Sequence, residues 1–176
     1  MKKAVFLDRD GVINRALERD GRPYPPSTLE ELEILPGVPE ALNRLREAGY
    51  LLIVVTNQPD VARGTTQRDA VEQLNALLAR RLALDEFRVC FHDDCENCPC
   101  RKPKPGLLMS AAAAHHLDLA QSWMVGDRWR DIDAGHAAGC RTILVDYGYA
   151  ERAPSCEPAA RTRNLTEAAT FILAST

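Results

Sequence analysis

Five short apolar runs, each breaking off into polar residues, constrain this chain more than any other feature. They are Lys3–Leu7, Leu51–Val55, Phe87–Phe91, Trp123–Val125 and Thr142–Val145. Short apolar runs without strict alternation read as strands buried on both faces, the mark of a parallel sheet. The text between them reads as helix. Val38, Leu42, Leu45 and Ala48 recur at helical spacing before Gly49, and Val71, Leu74, Leu77, Leu78 and Leu82 stripe the segment Gln67–Leu84. Pro105–Leu117, Ile132–Ala138 with Gly139 as its stop, and Leu165–Leu173 give three further helices. Arg15–Glu33 mixes charge, Pro and Gly without a clean period and reads as a loop or small flap. Alternating strands and helices predict an α/β fold: a three-layer, Rossmann-like parallel sheet with helices on both faces.

At 176 residues, without repeats or a linker, residues 1–176 are expected to form a single domain. The longest apolar run, Tyr50–Val55, is far short of the roughly 20 residues of a membrane span. Ala4–Leu7 is too short for a signal-peptide core and is ended by Asp8. A formal charge of -3 provides no basic footprint for nucleic acid. The expectation is a cytoplasmic monomer with neither a membrane nor a nucleic-acid partner.

In such sheets ligands bind beyond the carboxyl ends of the strands. Those ends carry Asp8 and Asp10, Thr56 and Asn57, a cysteine-rich loop leading to Lys102, and Asp127. Any one of these aspartates could be an ordinary loop or cap residue. Converging on one rim, however, three carboxylates repel unless a cation sits between them. An all-oxygen set suits Mg²⁺, which binds one or two carboxylates together with waters and phosphate oxygens. Carboxylate, hard cation, hydroxyl and lysine together describe phosphoryl transfer, in which catalysis is positioning and charge stabilisation. An aspartate can serve as nucleophile, and a second one two residues later as acid and then base.

Four of the six cysteines lie within Cys90–Cys100, with His92 among them. A cluster this tight reads as a metal site before a disulfide framework. Five candidates (Cys90, His92, Cys95, Cys98, Cys100) compete for four places on a tetrahedral Zn²⁺, and spacing alone does not choose. Cys140 reads as a small buried hydrophobe.

Asp8-Arg9-Asp10-Gly11 after an apolar strand resembles motif I of the haloacid dehalogenase superfamily of phosphohydrolases. Thr56 matches the motif II hydroxyl, Lys102 the motif III lysine, and Gly126-Asp127 with Asp131 the acidic motif IV, all in order. The longer stretches 8–14, 56–64, 100–106 and 124–132 resemble the heptose-bisphosphate phosphatases of that superfamily and the related histidinol-phosphate phosphatases, which are capless or nearly so and carry a zinc loop. The resemblance implies Asp8 as nucleophile, Asp10 as general acid/base, and Mg²⁺ on the Asp8 carboxylate, the Asp10 backbone carbonyl and Asp127. It implies Thr56, Asn57 and Lys102 around the phosphate, and Arg101, Arg63 and Arg128 facing a sugar-phosphate substrate. For zinc it implies Cys90, His92, Cys98 and Cys100, leaving Cys95 spare; four protein ligands leave no open position, so the ion is structural. Three departures stand out: Val12 for a common Thr, Pro59-Asp60 for Ser-Gly, and Arg128 for Lys.

Other residues carry ordinary readings: His115, His116 and His136 as helix positions, and Glu30–Glu33 as a solvated face. Trp129 reads equally as exposed beside the site or packed at the sheet edge. Residues 12–55 hold only a flap and a helix between motifs I and II, so no sizeable cap is expected. The leading expectation is a Mg²⁺-dependent sugar-bisphosphate phosphatase acting through an aspartyl-phosphate. The competing expectations are a histidinol-phosphate phosphatase and, from another class, a phospho-aspartate switch or zinc-stabilised binding module.

Overall fold

The computed structural model describes residues 1–175. Each apolar run becomes a strand: β1 (Lys3–Leu7), β4 (Tyr50–Asn57), β5 (Glu86–Cys90), β6 (Trp123–Gly126) and β7 (Arg141–Val145). The flap is a two-stranded antiparallel hairpin, β2 (Leu17–Arg19) with β3 (Arg22–Tyr24). The helices are α1 (Val38–Glu47), α2 (Arg68–Arg81), α3 (Gly106–His115), α4 (Trp129–Ala138) and α5 (Leu165–Ala174). A sixth sheet strand, β8 (Ala160–Thr162), has no apolar run to announce it and joins by pairing with β7. Helix α4 begins three residues before the predicted Ile132, because the Asp131 carboxylate accepts from the Arg128 amide at 3.0 Å and caps its first turn. His116 is not helical; it ends α3 in the left-handed conformation.

The main sheet is parallel, in the order β5-β4-β1-β6-β7-β8. Side chains alternate across it, as the strand period of two demands. Val5, Leu7, Leu52, Val54, Val125, Ile143 and Val145 pack on one face with residues of α1, α2 and α5. Ala4, Phe6, Ile53, Val55 and Met124 pack on the other with α3 and α4. Both faces are therefore covered, which is why the strands lack a polar side. The chain leaves β1 toward β4 but leaves β6 toward β7, so the winding reverses between β1 and β6. That reversal opens a crevice beyond their carboxyl ends, and Asp8 and Asp127 are the residues that immediately follow these two strands. The Asp8 amide donates to the Val125 carbonyl at 2.9 Å, pinning the two ends together.

Cys140 is buried, and burial alone pushes its thiol up to about 12, in line with a structural hydrophobe. Val12 is likewise part of the core. His115 pairs with Glu86 at 2.8 Å. Glu33 of the acidic stretch pairs with Arg15 in solvent. Trp129 packs under the Arg152 guanidinium, 3.5 Å from the ring centroid, with Arg130 at 4.7 Å.

Candidate active site

The crevice is a cavity of about 260 Å³, with Asp8, Asp10, Lys102, Asp127 and Asp131 in its lining. Lys102 is the hub. It is buried, and its ammonium donates to Asp8 Oδ1 at 2.7 Å, to Asp131 Oδ1 at 2.6 Å and to the Val55 carbonyl at 2.7 Å. These three acceptors use all three of its protons. Burial works against its charge, but Asp131 and Asp8 prevail and hold it well above the ordinary lysine range. Its backbone is fixed by Asn57, which donates to the Lys102 carbonyl at 3.0 Å and accepts from the Lys102 amide at 3.1 Å. Asn57 lines the cavity, but its side-chain amide is committed to placing Lys102.

The carboxylates stand in surplus. Asp8, Asp127 and Asp131 bring one oxygen each within 4.8 Å of one another. Against three negative charges there is one ammonium. Burial, partly offset by Lys102, pushes Asp8 up to about 7, with Asp131 and Asp10 adding to the rise. Burial and the charges of Asp8 and Asp131 carry Asp127 well above the carboxylate range. Both Asp127 oxygens are buried without a hydrogen-bond partner of normal geometry. Tyr149 faces that carboxylate, and after burial the charge of Asp127 is the main cause raising its phenol. Three crowded carboxylates against one ammonium, with both Asp127 oxygens short of hydrogen bonds, fit a divalent, oxygen-seeking cation that would take the place of their protons. Two glycines make room for this cluster. A Cβ on Gly11, at φ +91°, would lie 2.1 Å from Asp127 Oδ2, and one on Gly126 would lie 2.1 Å from Asp131 Cβ.

Asp10 is held differently. Its carboxylate accepts from Asn14 Nδ2 at 2.9 Å, from Gln58 Nε2 at 2.8 Å and from the Arg9 guanidinium at 3.1–3.3 Å. Thr56 is 1% exposed, and its hydroxyl accepts from the same Gln58 amide at 2.9 Å.

The cysteine loop leaves β5 at Cys90 and returns at Lys102. Cys90, His92, Cys98 and Cys100 gather their ligand atoms together, whereas Cys95 is exposed outside the group. Five of the separations run from 3.2 to 3.6 Å. A tetrahedral ion with metal–sulfur bonds of about 2.3 Å spaces its sulfurs about 3.8 Å apart, so the cluster sits just inside that edge. The loop is braced by a capping box at Asp93 and by Lys104, which donates to the Asn97 and Cys98 carbonyls at 3.1 and 3.0 Å.

Each rim arginine is engaged. Arg63 forks onto Asp93 at 2.7 and 2.8 Å, joining the Thr56 loop to the cysteine loop and holding Asp93 down at about 2. Arg101 and Arg130 share Asp94, at 2.8 and 3.0 Å. Arg128 pairs with Glu151. Arg63, Arg101, Arg128 and Arg130 all line the cavity.

The sequence reading brought Asp8, Asp10, Asp127 and Lys102 to this rim, and the fold assembles them there. It missed Arg9, Asn14 and Gln58, the donors around Asp10, and it noted Asp131 without foreseeing its bond to Lys102. The signal of these donors in the sequence is their polarity beside the β1 and β4 strand ends; the structure buries Arg9 and Asn14 completely. Arg130 was missed because its pairing with Asp94 crosses from α4 to the cysteine loop.

Comparison with known proteins gives one reading. A family model described as HAD-hydrolase-like matches residues 99–168. A D-glycero-beta-D-manno-heptose-1,7-bisphosphate 7-phosphatase of Pasteurella multocida is 39% identical over 160 residues, 84% of each chain. The Helicobacter pylori protein of the same name is 40% identical over 149 residues, 81% of this chain and 83% of that one. The crystal structure of a D,D-heptose 1,7-bisphosphate phosphatase from B. bronchiseptica, in complex with magnesium and phosphate, superposes with a TM-score of 0.80 at 29% identity, covering 99% of both chains. By motif order, fold and identity to these relatives, the chain belongs to the haloacid dehalogenase-like hydrolases, in the family of the heptose-bisphosphate phosphatases.

Proposed function

We propose that this protein is a Mg²⁺-dependent phosphoric monoester hydrolase that removes the C7 phosphate of D-glycero-D-manno-heptose 1,7-bisphosphate through a phosphoaspartate on Asp8. The observation that carries this reading is the Asp8–Lys102–Asp131 chain of bonds at 2.6–2.7 Å beside the orphaned Asp127 carboxylate, in a chain 39% identical to a protein named for that activity.

The Asp8 carboxylate attacks phosphorus while the bond to the C7 oxygen breaks, and Asp10 gives that oxygen its proton. Water then attacks phosphorus, Asp10 takes a proton from it, and the bond from Asp8 to phosphorus breaks, restoring the enzyme. Lys102 sets the orientation of Asp8 and offsets negative charge gathering on the phosphoryl oxygens. Asp8, Asp127 and the Asp10 carbonyl are the proposed holders of Mg²⁺, which when bound supplies positive charge to the phosphoryl oxygens. Cys90, His92, Cys98 and Cys100 are the proposed ligands of a structural Zn²⁺ whose work is to shape the loop presenting Arg101 and Lys102.

Arg63, Arg101 and Arg128 are the proposed substrate contacts, with specificity residing in short rim loops and the flap residue Tyr24, which lines the cavity. A single-domain monomer over residues 1–176 completes the proposal. Among the described residues, no helix is long and apolar enough to cross a membrane.

The test is kcat/KM for both anomers of the heptose bisphosphate and for histidinol phosphate. Expected is a preference of at least about a hundredfold for one heptose anomer. A preference for histidinol phosphate would overturn the substrate assignment and leave the chemistry standing.

A further inference from the structure

Arg9 lies between the nucleophile and Asp10 in sequence, and it is 0% exposed. A buried guanidinium is costly unless its charge and its donors are matched. Two groups match it. Nε and Nη2 grip the Asp10 carboxylate at 3.1–3.3 Å, and Nη1 donates to Asn75 Oδ1 at 2.9 Å. Asn75 stands on α2, sixty-six positions further along the chain, on the face that otherwise buries Val71, Leu74 and Leu78. It is itself only 7% exposed. An amide on that face weakens both the helix and the core, by propensity and by desolvation. Packing supplies no reason for it, whereas Arg9 does.

We propose that Arg9 and Asn75 form a positioning pair for Asp10, so that α2 sets where the acid/base carboxylate sits. This inference rests on the phosphatase reading above. Asn75 fixes one edge of the guanidinium, the opposite edge fixes both Asp10 oxygens, and Asn14 and Gln58 complete the cradle from the sides. Releasing Asn75 frees the guanidinium to turn, and Asp10 turns with it. Neither Arg9 nor Asn75 belongs to the proposed magnesium or substrate contacts. Their loss therefore affects proton transfer to the leaving oxygen and from water, and leaves binding intact.

The test replaces Asn75 with Leu, similar in size but unable to accept, and measures two substrates. One is a sugar phosphate, whose alkoxide leaving group needs a proton. The other is p-nitrophenyl phosphate, whose leaving group does not. Expected is a loss of kcat about tenfold larger on the sugar phosphate, part of the roughly hundredfold or more that acid catalysis supplies, with KM and the half-saturating Mg²⁺ concentration unchanged. In an Asp10→Asn background, Asn75→Leu should add no further discrimination between the two substrates. Equal losses on both substrates, or continued discrimination without Asp10, would overturn the proposal and assign Asn75 to stability. If Asn75→Leu does not fold, Arg9→Lys, which keeps the charge but loses the fork, carries the same expectation. Failure of the wild-type protein to hydrolyse either ester would instead strike the phosphatase reading itself.

Discussion

Asp8, Asp127 and Asp131 sit at the ends of β1 and β6 and in the first turn of α4, buried and on rigid backbone. Cys90, His92, Cys98 and Cys100 sit on a loop, where His92 is exposed and Cys98 and Cys100 are only partly buried. Both groups gather potential metal ligands, but they are built to opposite rules. Three carboxylates crowd around Lys102, which only partly offsets them, and neither Asp127 oxygen has a hydrogen-bond partner of normal geometry. The cluster is therefore poised for an ion it must share with a substrate. The thiols and the imidazole supply a complete tetrahedral set with no place left for a substrate. In the proposed mechanism the incomplete cluster does the chemistry, and the complete one holds the shape of its loop.

The comparison can be broken most severely at Asp8. Asp8→Asn should lower kcat by about 10⁴-fold or more, while the metal-free melting temperature holds or rises, because one of the crowded charges is gone. A fall in both would mean that the carboxylates are structural. Next in size is the cysteine loop. Cys98→Ser, or a chelator strong enough to strip zinc, should lower the melting temperature by several degrees and kcat/KM by about ten- to a hundredfold together, since loop and Lys102 are continuous. Zinc content by elemental analysis, calorimetry and kinetics on one sample check this. Full activity in zinc-free protein would contradict it.

A smaller effect concerns pH. Asp8 is raised to about 7 and Asp127 is raised as well, so the metal-free fold holds protons that the unfolded chain has released. Its stability should fall as pH rises from about 4 toward 7, since the folded state binds more protons across that window. Mg²⁺ must displace those protons, so its affinity should weaken below pH 7, by up to about tenfold per unit. Magnesium titrations read by thermal shift at pH 5.5, 6.5 and 7.5 check the sign; a flat response would mean that the cluster is already ionised. The smallest effect is at the rim. Arg63 and Asp93 are exposed enough that their pair is worth at most about 1 kcal/mol, so Arg63→Ala should raise KM a fewfold with kcat unchanged.

Much of this was legible in the sequence because it rests on local patterns. An apolar run followed by Asp8-Arg9-Asp10-Gly11 states both the strand and what its end presents. The spacing of the five candidates within Cys90–Cys100 crowds ligands whatever the fold, while the choice of four comes from the family resemblance. What stayed illegible depends on contacts between distant segments. Strand β8 exists because Ile143, Leu144 and Val145 offer it a partner, not because Ala160–Thr162 reads as a strand. Asn57 matches a phosphate-contact motif, yet its amide is spent on the backbone of Lys102, forty-five positions away. Nothing in the sequence marks Arg9 as buried; its partner Asn75 comes from α2, sixty-six positions away. The cap could be excluded from residues 12–55, but that Tyr24 of the flap and Arg130 of α4 would meet across one cavity could not.

The central claim is that the incomplete cluster transfers a phosphoryl group from C7 of a heptose bisphosphate. Phosphorus NMR of D-glycero-D-manno-heptose 1,7-bisphosphate with the enzyme and Mg²⁺ tests it directly. The account predicts that the C7 phosphate signal is replaced by inorganic phosphate while the C1 phosphate persists; loss of the C1 phosphate, or no turnover of either, would contradict it.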